Sequence, residues 1–214
     1  MMYHDETVRI YERLLEQKQS FSGGTQFSIG GLSINVESKD GIGGLIEEWF
    51  GAWCHDQGFK ITNPKRLGSS QEFPDYYVGD DNGMLEIKAF DRDAGPNFDI
   101  ANFESYCASL AVKPDRLNSD YIIFGYRLKG SILSISDIWL KKIWEITTSS
   151  ERYPLKTQVK RDVIYNIRPA SWYSERSRRP FSNSDEFVNA VYETQKQYRS
   201  LASSPDEEAF WRNR

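Results

Sequence analysis

Three consecutive segments constrain this chain more tightly than anything else in it. FPDYYV (residues 73–78) is an aromatic and β-branched run, GDDNG (79–83) is turn chemistry, and MLEIKAF (84–90) alternates. That succession predicts a β-hairpin. Side chains on a strand alternate between faces, so Glu86 and Lys88 share one face of the second arm while Leu85, Ile87 and Ala89 share the other. Pro74-Asp75 opens the first arm, and the hairpin therefore carries two carboxylates and one ammonium to the same end.

Asp75 and Glu86 held close together in a partly dry cleft repel, and one would be driven toward neutrality unless positive charge sits between them. A hard divalent cation with oxygen ligands supplies that charge. Magnesium suits the role, because it keeps several waters and is commonly held by one or two carboxylates plus substrate phosphate. Lys88, two residues from a ligand on the same face, is placed to orient a water and to offset phosphate charge during attack. The reaction this describes is phosphodiester hydrolysis.

The letters recur elsewhere. Glu-x-Lys also occurs at Glu16-Gln17-Lys18 and Glu37-Ser38-Lys39, and Pro-Asp at Pro114-Asp115 and Pro205-Asp206. Only the site at 74–88 combines both halves on two adjacent strands. A solvated hairpin with a surface ion pair between Glu86 and Lys88 would account for the same residues, so the two readings differ in whether the charged face is covered.

With 214 residues, 39% hydrophobic and 14% aromatic, the chain can bury one good core, and we expect a single domain over 1–214. Its expected subregions are a helix and hairpin (1–40), a catalytic core (41–150), a basic region with a final helix (151–200) and a fraying tail (201–214). No stretch is long and apolar enough to span a membrane, and MMYHDETVRIYERLLEQKQ is a charged amphipathic pattern rather than a signal peptide, so a cytoplasmic location is expected. Cys54 and Cys107, without CxxC spacing, are expected to be buried free thiols. Beside so few partners, the Cys54-His55 pair does not make a zinc site.

The net charge of −4 conceals an asymmetry. Residues 1–150 carry 15 basic against 22 acidic side chains, whereas residues 151–214 carry 12 against 9. Within 152–179 there are 8 basic and 2 acidic residues, interleaved with Tyr153, Tyr165, Trp172 and Tyr173. A solvated face is the ordinary explanation of such a stretch; the aromatic interleaving makes it the best candidate for a nucleic-acid-facing surface.

Periodicity predicts an amphipathic helix over 5–20 with Val8, Tyr11, Leu14 and Leu15 on one stripe, and a hairpin over 27–37. A helix over 42–57 capped by Asp40 should follow, its GIGG glycines serving tight packing, with a strand near 59–62 and a helix over 99–112. A second hairpin is expected in SDYIIFGYRL and SILSISDIWL, with further β character in WEITTSS, LKTQVK and DVIYNIRP. A final helix is capped by Ser184. This order predicts an α/β fold: a mixed β-sheet core flanked by α-helices, with additional β-hairpins.

The hairpin and its preceding helix resemble the PD-(D/E)XK nuclease superfamily, whose core is a restriction-endonuclease-like mixed sheet flanked by helices. GIGGLIEEWFGA is similar to the equivalent helix of the mismatch-repair nicking endonuclease and its restriction-enzyme relatives, through Gly43, Glu47 and Gly51-Ala52. The resemblance implies that Asp75, Glu86 and the Ile87 backbone carbonyl are metal ligands. It makes Lys88 the water-positioning base or electrostatic partner, and Glu47 the helix carboxylate completing the site. Glu48 lies about 100° round the helix and is the rival for that last role. NPKRLGSSQEFPDYY, PNFDIANFESY, KTQVKRDVIYNIRP and WYS also look like the NgoBV-like type II restriction endonucleases. That likeness spans roughly residues 40–200 and implies a magnesium-dependent homodimer that cuts a short palindromic duplex.

Affinity for double-stranded DNA would come from phosphate contacts and sequence choice from base edges. Arg176, Arg178 and Arg179 are candidates to read guanine; Lys156, Lys160 and Arg161 fit backbone contacts, as do Lys65 and Arg66, Arg168 is a further candidate for DNA binding, and Trp172 could stack. Ordinary solvated charge explains any one of these cations equally well. Asn97, Asp99 and Asn102 could contact DNA or begin a helix. A strand-nicking or junction-resolving nuclease of the same fold, and a non-catalytic DNA-binding domain, remain as other functions compatible with these residues.

Overall fold

In the computed structural model, residues 2–64 and 73–198 are described. They fall into two compact units, one built from Met1–Pro96 and Asp120–Lys141, the other from Asn97–Ser119 and Lys142–Arg214.

The first unit begins with α1 (Asp5–Gln17), then β1 (Ser22–Gly24) and a hairpin of β2 (Gln26–Ile29) and β3 (Leu32–Asn35). It continues through α2 (Ile42–Asp56), β4 (Ile61–Thr62), β5 (Tyr76–Val78) and β6 (Gly83–Asp91). After an excursion through the second unit, the chain returns as β8 (Asp120–Lys129) and β9 (Ile132–Lys142). These strands form a six-stranded sheet in the order β1-β9-β8-β6-β5-β4. The β5–β6 pair is antiparallel, with Tyr76 opposite Leu85, and β6 runs parallel to β8, with Leu85 opposite Asp120. A parallel pair needs a long crossover, which residues 92–119 supply.

The apolar face of β6 is buried as alternation demands. Leu85 and Ile87 pack with Ile122 and Phe124 of β8 and with Ile10, Leu14, Ile46 and Phe50 of the two helices. Each such side chain, fully buried, contributes about 1.5–3 kcal/mol. On α1 Leu14 is buried and Val8 and Tyr11 pack against the core as the stripe anticipated above requires, Ile10 joins them, and Leu15 alone of that stripe is exposed. The N-cap of α2 is Gly41 in the left-handed region, with φ of 82°, rather than Asp40. Gly43 and Gly44 face open space, so close packing is not their role. Gly51 is the tightly packed one: a Cβ there would lie 2.5 Å from the Tyr76 hydroxyl. Cys54 and Cys107 are free and buried, and burial, aided by Glu6, pushes the Cys54 thiol pKa up.

The second unit contains β7 (Ala101–Asn102), α3 (Phe103–Val112), β10 (Thr157–Lys160), β11 (Val163–Ile167) and α4 (Ser184–Tyr198). Its sheet has the order β10-β11-β7. Asn102 caps α3 by accepting from the Ser105 N–H at 3.0 Å, which starts the helix four residues later than expected. Asn183, not Ser184, caps α4, accepting from the Glu186 N–H at 2.9 Å. Ile143–Ile146 forms a 3-10 turn where β character was expected; Glu145 closes it by accepting from the Lys142 N–H at 2.7 Å, a local bond that competes with strand pairing. The β10–β11 turn places Arg161 and Asp162 at φ of 50° and 63°, as a two-residue type I′ hairpin requires. Trp49 packs against the first unit's core and Trp144 is buried in the second, both as apolar positions should be.

Gly51→Ala should destabilise the protein by about 1–3 kcal/mol in urea unfolding, because the new methyl displaces the Tyr76 ring. Gly44→Ala, on an open helix surface, should instead stabilise it by about 0.5–1 kcal/mol.

Candidate active site

The antiparallel ladder between β5 and β6 reaches only to the Tyr76–Leu85 pair, and beyond it carboxylates take over the role of backbone acceptors. Asp75 Oδ2 accepts from the Ile87 N–H at 3.0 Å, and Glu86 Oε1 accepts from the Asp75 N–H at 3.2 Å. These reciprocal bonds lock both acids to the backbone. Both are buried, Asp75 with 7% and Glu86 with 6% of its surface exposed. The covered charged face decides against a solvated hairpin.

Lys88 lies between them. Its Nζ donates to Glu86 Oε2 at 2.9 Å and stands 3.9 Å from Asp75 Oδ2. Burial alone would lower the lysine pKa, but the Glu86 and Asp75 carboxylates, with Glu47 adding to them, outweigh that and hold it above its ordinary value. The side chain is therefore an ammonium at neutral pH. The ammonium thus stands beside both buried carboxylates.

Helix α2, which carries Glu47, is tied to the hairpin. The Tyr76 hydroxyl donates to the Glu47 backbone carbonyl at 3.0 Å and tethers the helix to β5. Burial, then Glu47 and Glu48, push the Tyr76 pKa up to about 12, so this donor keeps its proton. Glu47 is half-buried and Glu48 exposed, and it is Glu47 whose charge acts on Lys88. Among the described residues no group of three or more acidic, histidine or cysteine side chains gathers as a metal cluster. The donor set at the hairpin is therefore two carboxylates. The Ile87 carbonyl points, as strand geometry requires, to the same side as the Ile87 N–H. Hard oxygen donors of this kind fit a divalent cation.

His4 was not anticipated. Its backbone N–H donates to Asp120 Oδ2 at 2.9 Å, its Nε2 meets Asp81 Oδ1 at 2.7 Å, and its ring covers Gly83, leaving no room for a Cβ. It clasps the turn of the hairpin. Nothing in MMYHDE signals that contact, because its partners lie 77 and 116 residues away.

The second unit holds most of the cations considered above for DNA. Lys160, Arg161, Arg176, Arg178 and Arg179 are exposed, Lys160 lying over the Tyr165 ring at 5.8 Å. Lys156 and Arg168 are half-buried; Lys156 Nζ donates to the Pro169 carbonyl at 2.8 Å, and Arg168 pairs with Asp99. Trp172 is half-buried against Phe98 and Tyr173, with ring centroids 6.3 and 5.5 Å away. Lys65 and Arg66 lie outside the described residues.

The model of the NgoBV restriction endonuclease family matches residues 4–214. This chain belongs to that family. Among its relatives, the type II restriction enzyme NlaIV of Neisseria lactamica is 36% identical over 195 residues, covering 87% of this chain and 79% of that enzyme. The type II restriction enzyme NgoBV of Neisseria gonorrhoeae is 31% identical over 160 residues, 72% of this chain and 89% of that one. The solved NlaIV restriction endonuclease superposes with a TM-score of 0.83 at 34% identity, covering 96% of this chain and 88% of that one. The restriction-endonuclease fold and the enzyme class expected from the hairpin are borne out, and the match extends to the N-terminal residues that the motif resemblance left uncovered. No helix among the described residues of this restriction endonuclease is long and apolar enough to cross a membrane.

Removing the ammonium takes a cation from beside two buried carboxylates. Lys88→Met should cost about 3–5 kcal/mol in denaturant unfolding without divalent ions. Asp75→Asn keeps an oxygen acceptor for Ile87 and leaves the Glu86–Lys88 pair intact, so it should remain within about 1 kcal/mol of wild type.

Proposed function

We propose that this restriction endonuclease hydrolyses phosphodiester bonds in both strands of a short, palindromic DNA duplex, with magnesium as cofactor, through a site of the PD-(D/E)XK kind. The observation that carries the proposal is the buried Asp75–Glu86 pair with the Lys88 ammonium between them. Asp75, Glu86 and the Ile87 carbonyl would hold the cation, and Glu47 would complete the water shell from the helix. When bound, magnesium supplies Lewis-acid polarisation of the phosphate and lowers the pKa of water.

The chain's own residues account for the rest. Backbone bonds at 3.0 and 3.2 Å fix both acids before substrate arrives, so little reorganisation is needed at the moment of reaction. Lys88, protonated and flanked by the acids, offsets charge developing on the phosphate oxygens and orients the attacking water. The Tyr76–Glu47 tether holds the helix carboxylate on the same side. The exposed cations of β10, the β10–β11 turn and residues 176–179 contact backbone phosphates and base edges, with Lys65 and Arg66 assigned a backbone role as well.

A palindrome has two-fold symmetry, which two copies of one chain match. The β2–β3 hairpin supports such a pairing. It carries no charged residue in Gln26–Asn35, and Phe27, Ile29, Leu32 and Ile34 expose 53%, 69%, 67% and 52% of their surfaces. Apolar side chains exposed this densely mark an interaction surface, and a lone two-stranded hairpin gains stability from being covered.

Plasmid DNA incubated with purified protein and magnesium should give discrete bands, and EDTA should abolish them. Asp75→Asn, Glu86→Gln and Lys88→Met should each lower the cleavage rate at least ~100-fold; full-rate cutting by any of the three would reject the site. Light scattering should report a dimer that Ile29→Lys with Leu32→Lys converts to a monomer, and an unchanged dimer would place self-association elsewhere.

A further inference from the structure

The second unit contains a concave site of about 590 Å³ whose lining includes Arg152, Lys156, Ser171, Ser177 and Arg178. We propose that it is a phosphate-binding pocket that receives a backbone phosphate of bound DNA, with Lys156, Arg152 and Arg178 as cationic contacts and the hydroxyls of Ser171 and Ser177 as donors. The inference rests on the nuclease reading only for the identity of the polyanion.

Lys156 is the residue that ordinary solvated charge does not explain. The other lysine and the arginines singled out between 160 and 179 are exposed or, like Arg168, paired with a carboxylate. Lys156 is half-buried, makes no ion pair among the described residues, and has the Pro169 carbonyl at 2.8 Å as its hydrogen-bond acceptor. Burial lowers its pKa, and the nearby charge that acts on it, Arg168, is another cation and lowers it further. An ammonium withdrawn from water without a counter-anion is unfavourable, and an anion entering the pocket removes that cost.

The two arginines are held by partners that a phosphate can displace. Arg152 pairs at 2.8 Å with Asp162, whose side chain is 89% exposed, and Arg178 stands 3.7 Å from Glu151, which is 93% exposed. Exposed pairs of this kind contribute about 0–1 kcal/mol. A phosphate offers the planar guanidinium a bidentate partner that outcompetes them. The contacts would be sequence-independent, since phosphates carry no base identity.

The test is equilibrium binding of the full chain, in EDTA so that nothing is cut, to two duplexes of different sequence over a series of KCl concentrations. Lys156→Met should weaken binding to both duplexes roughly tenfold. It should also make the log–log salt dependence shallower by about one, with Lys156→Arg restoring most of the slope. Thermal unfolding should be unchanged. An unaltered slope would overturn the proposal, as would a loss confined to one duplex, which would make Lys156 a base reader. A loss accompanied by a lowered melting temperature, and not recovered by Lys156→Arg, would make the residue structural. Inorganic phosphate that stabilises wild type but not Lys156→Met, with the salt slope unmoved, would assign the pocket to a free anion and overturn the DNA contact. Wild-type protein that bound neither duplex would overturn both the pocket and the nuclease reading, whereas an unaltered slope in protein that still binds and cuts would overturn the pocket alone.

Discussion

Two acidic side chains substitute for backbone at the end of a β-ladder, and the candidate active site depends on that substitution. Where β5 and β6 cease to pair directly, Asp75 and Glu86 accept the N–H groups of Ile87 and Asp75. Buried backbone donors need acceptors, and at this end of the hairpin the two carboxylates supply them. Lys88 stands between the two carboxylates and holds an ammonium beside both.

Two further contacts hold that pair in place from a distance. Tyr76, the first residue of β5, reaches across to the Glu47 carbonyl, and Gly51, one turn further along α2, leaves the space its ring needs. His4 clasps the turn at the other end of the hairpin through Asp81 and Gly83. The N-terminal segment thus belongs to the scaffold of the site, consistent with a family match that begins at residue 4.

Much of this was legible because it is local. The alternation of MLEIKAF placed Glu86 and Lys88 on one face, and their 2.9 Å contact follows from a two-residue spacing. Leu85 and Ile87 turned inward for the same reason. Where local signals compete, the expectations slipped. Asp40 and Ser184 are plausible caps by residue type, but Gly41 and Asn183 hold those positions. WEITTSS has strand propensity, yet a local Glu145 bond tightens it into a 3-10 turn. On α1 only Leu15 of the expected stripe faces outward, while Ile10, outside it, is buried.

By itself, then, the sequence determined the hairpin, its register of charge and apolar residues, and the class of chemistry those residues can perform, because side-chain alternation and turn chemistry act over a few residues. Only the tertiary structure decided that the charged face is covered, that Glu47 rather than Glu48 acts on Lys88, and that His4 and Gly51 support the site. Burial and electrostatics depend on which distant segments approach one another, and that approach is settled by the packing of the whole unit rather than by any stretch of it.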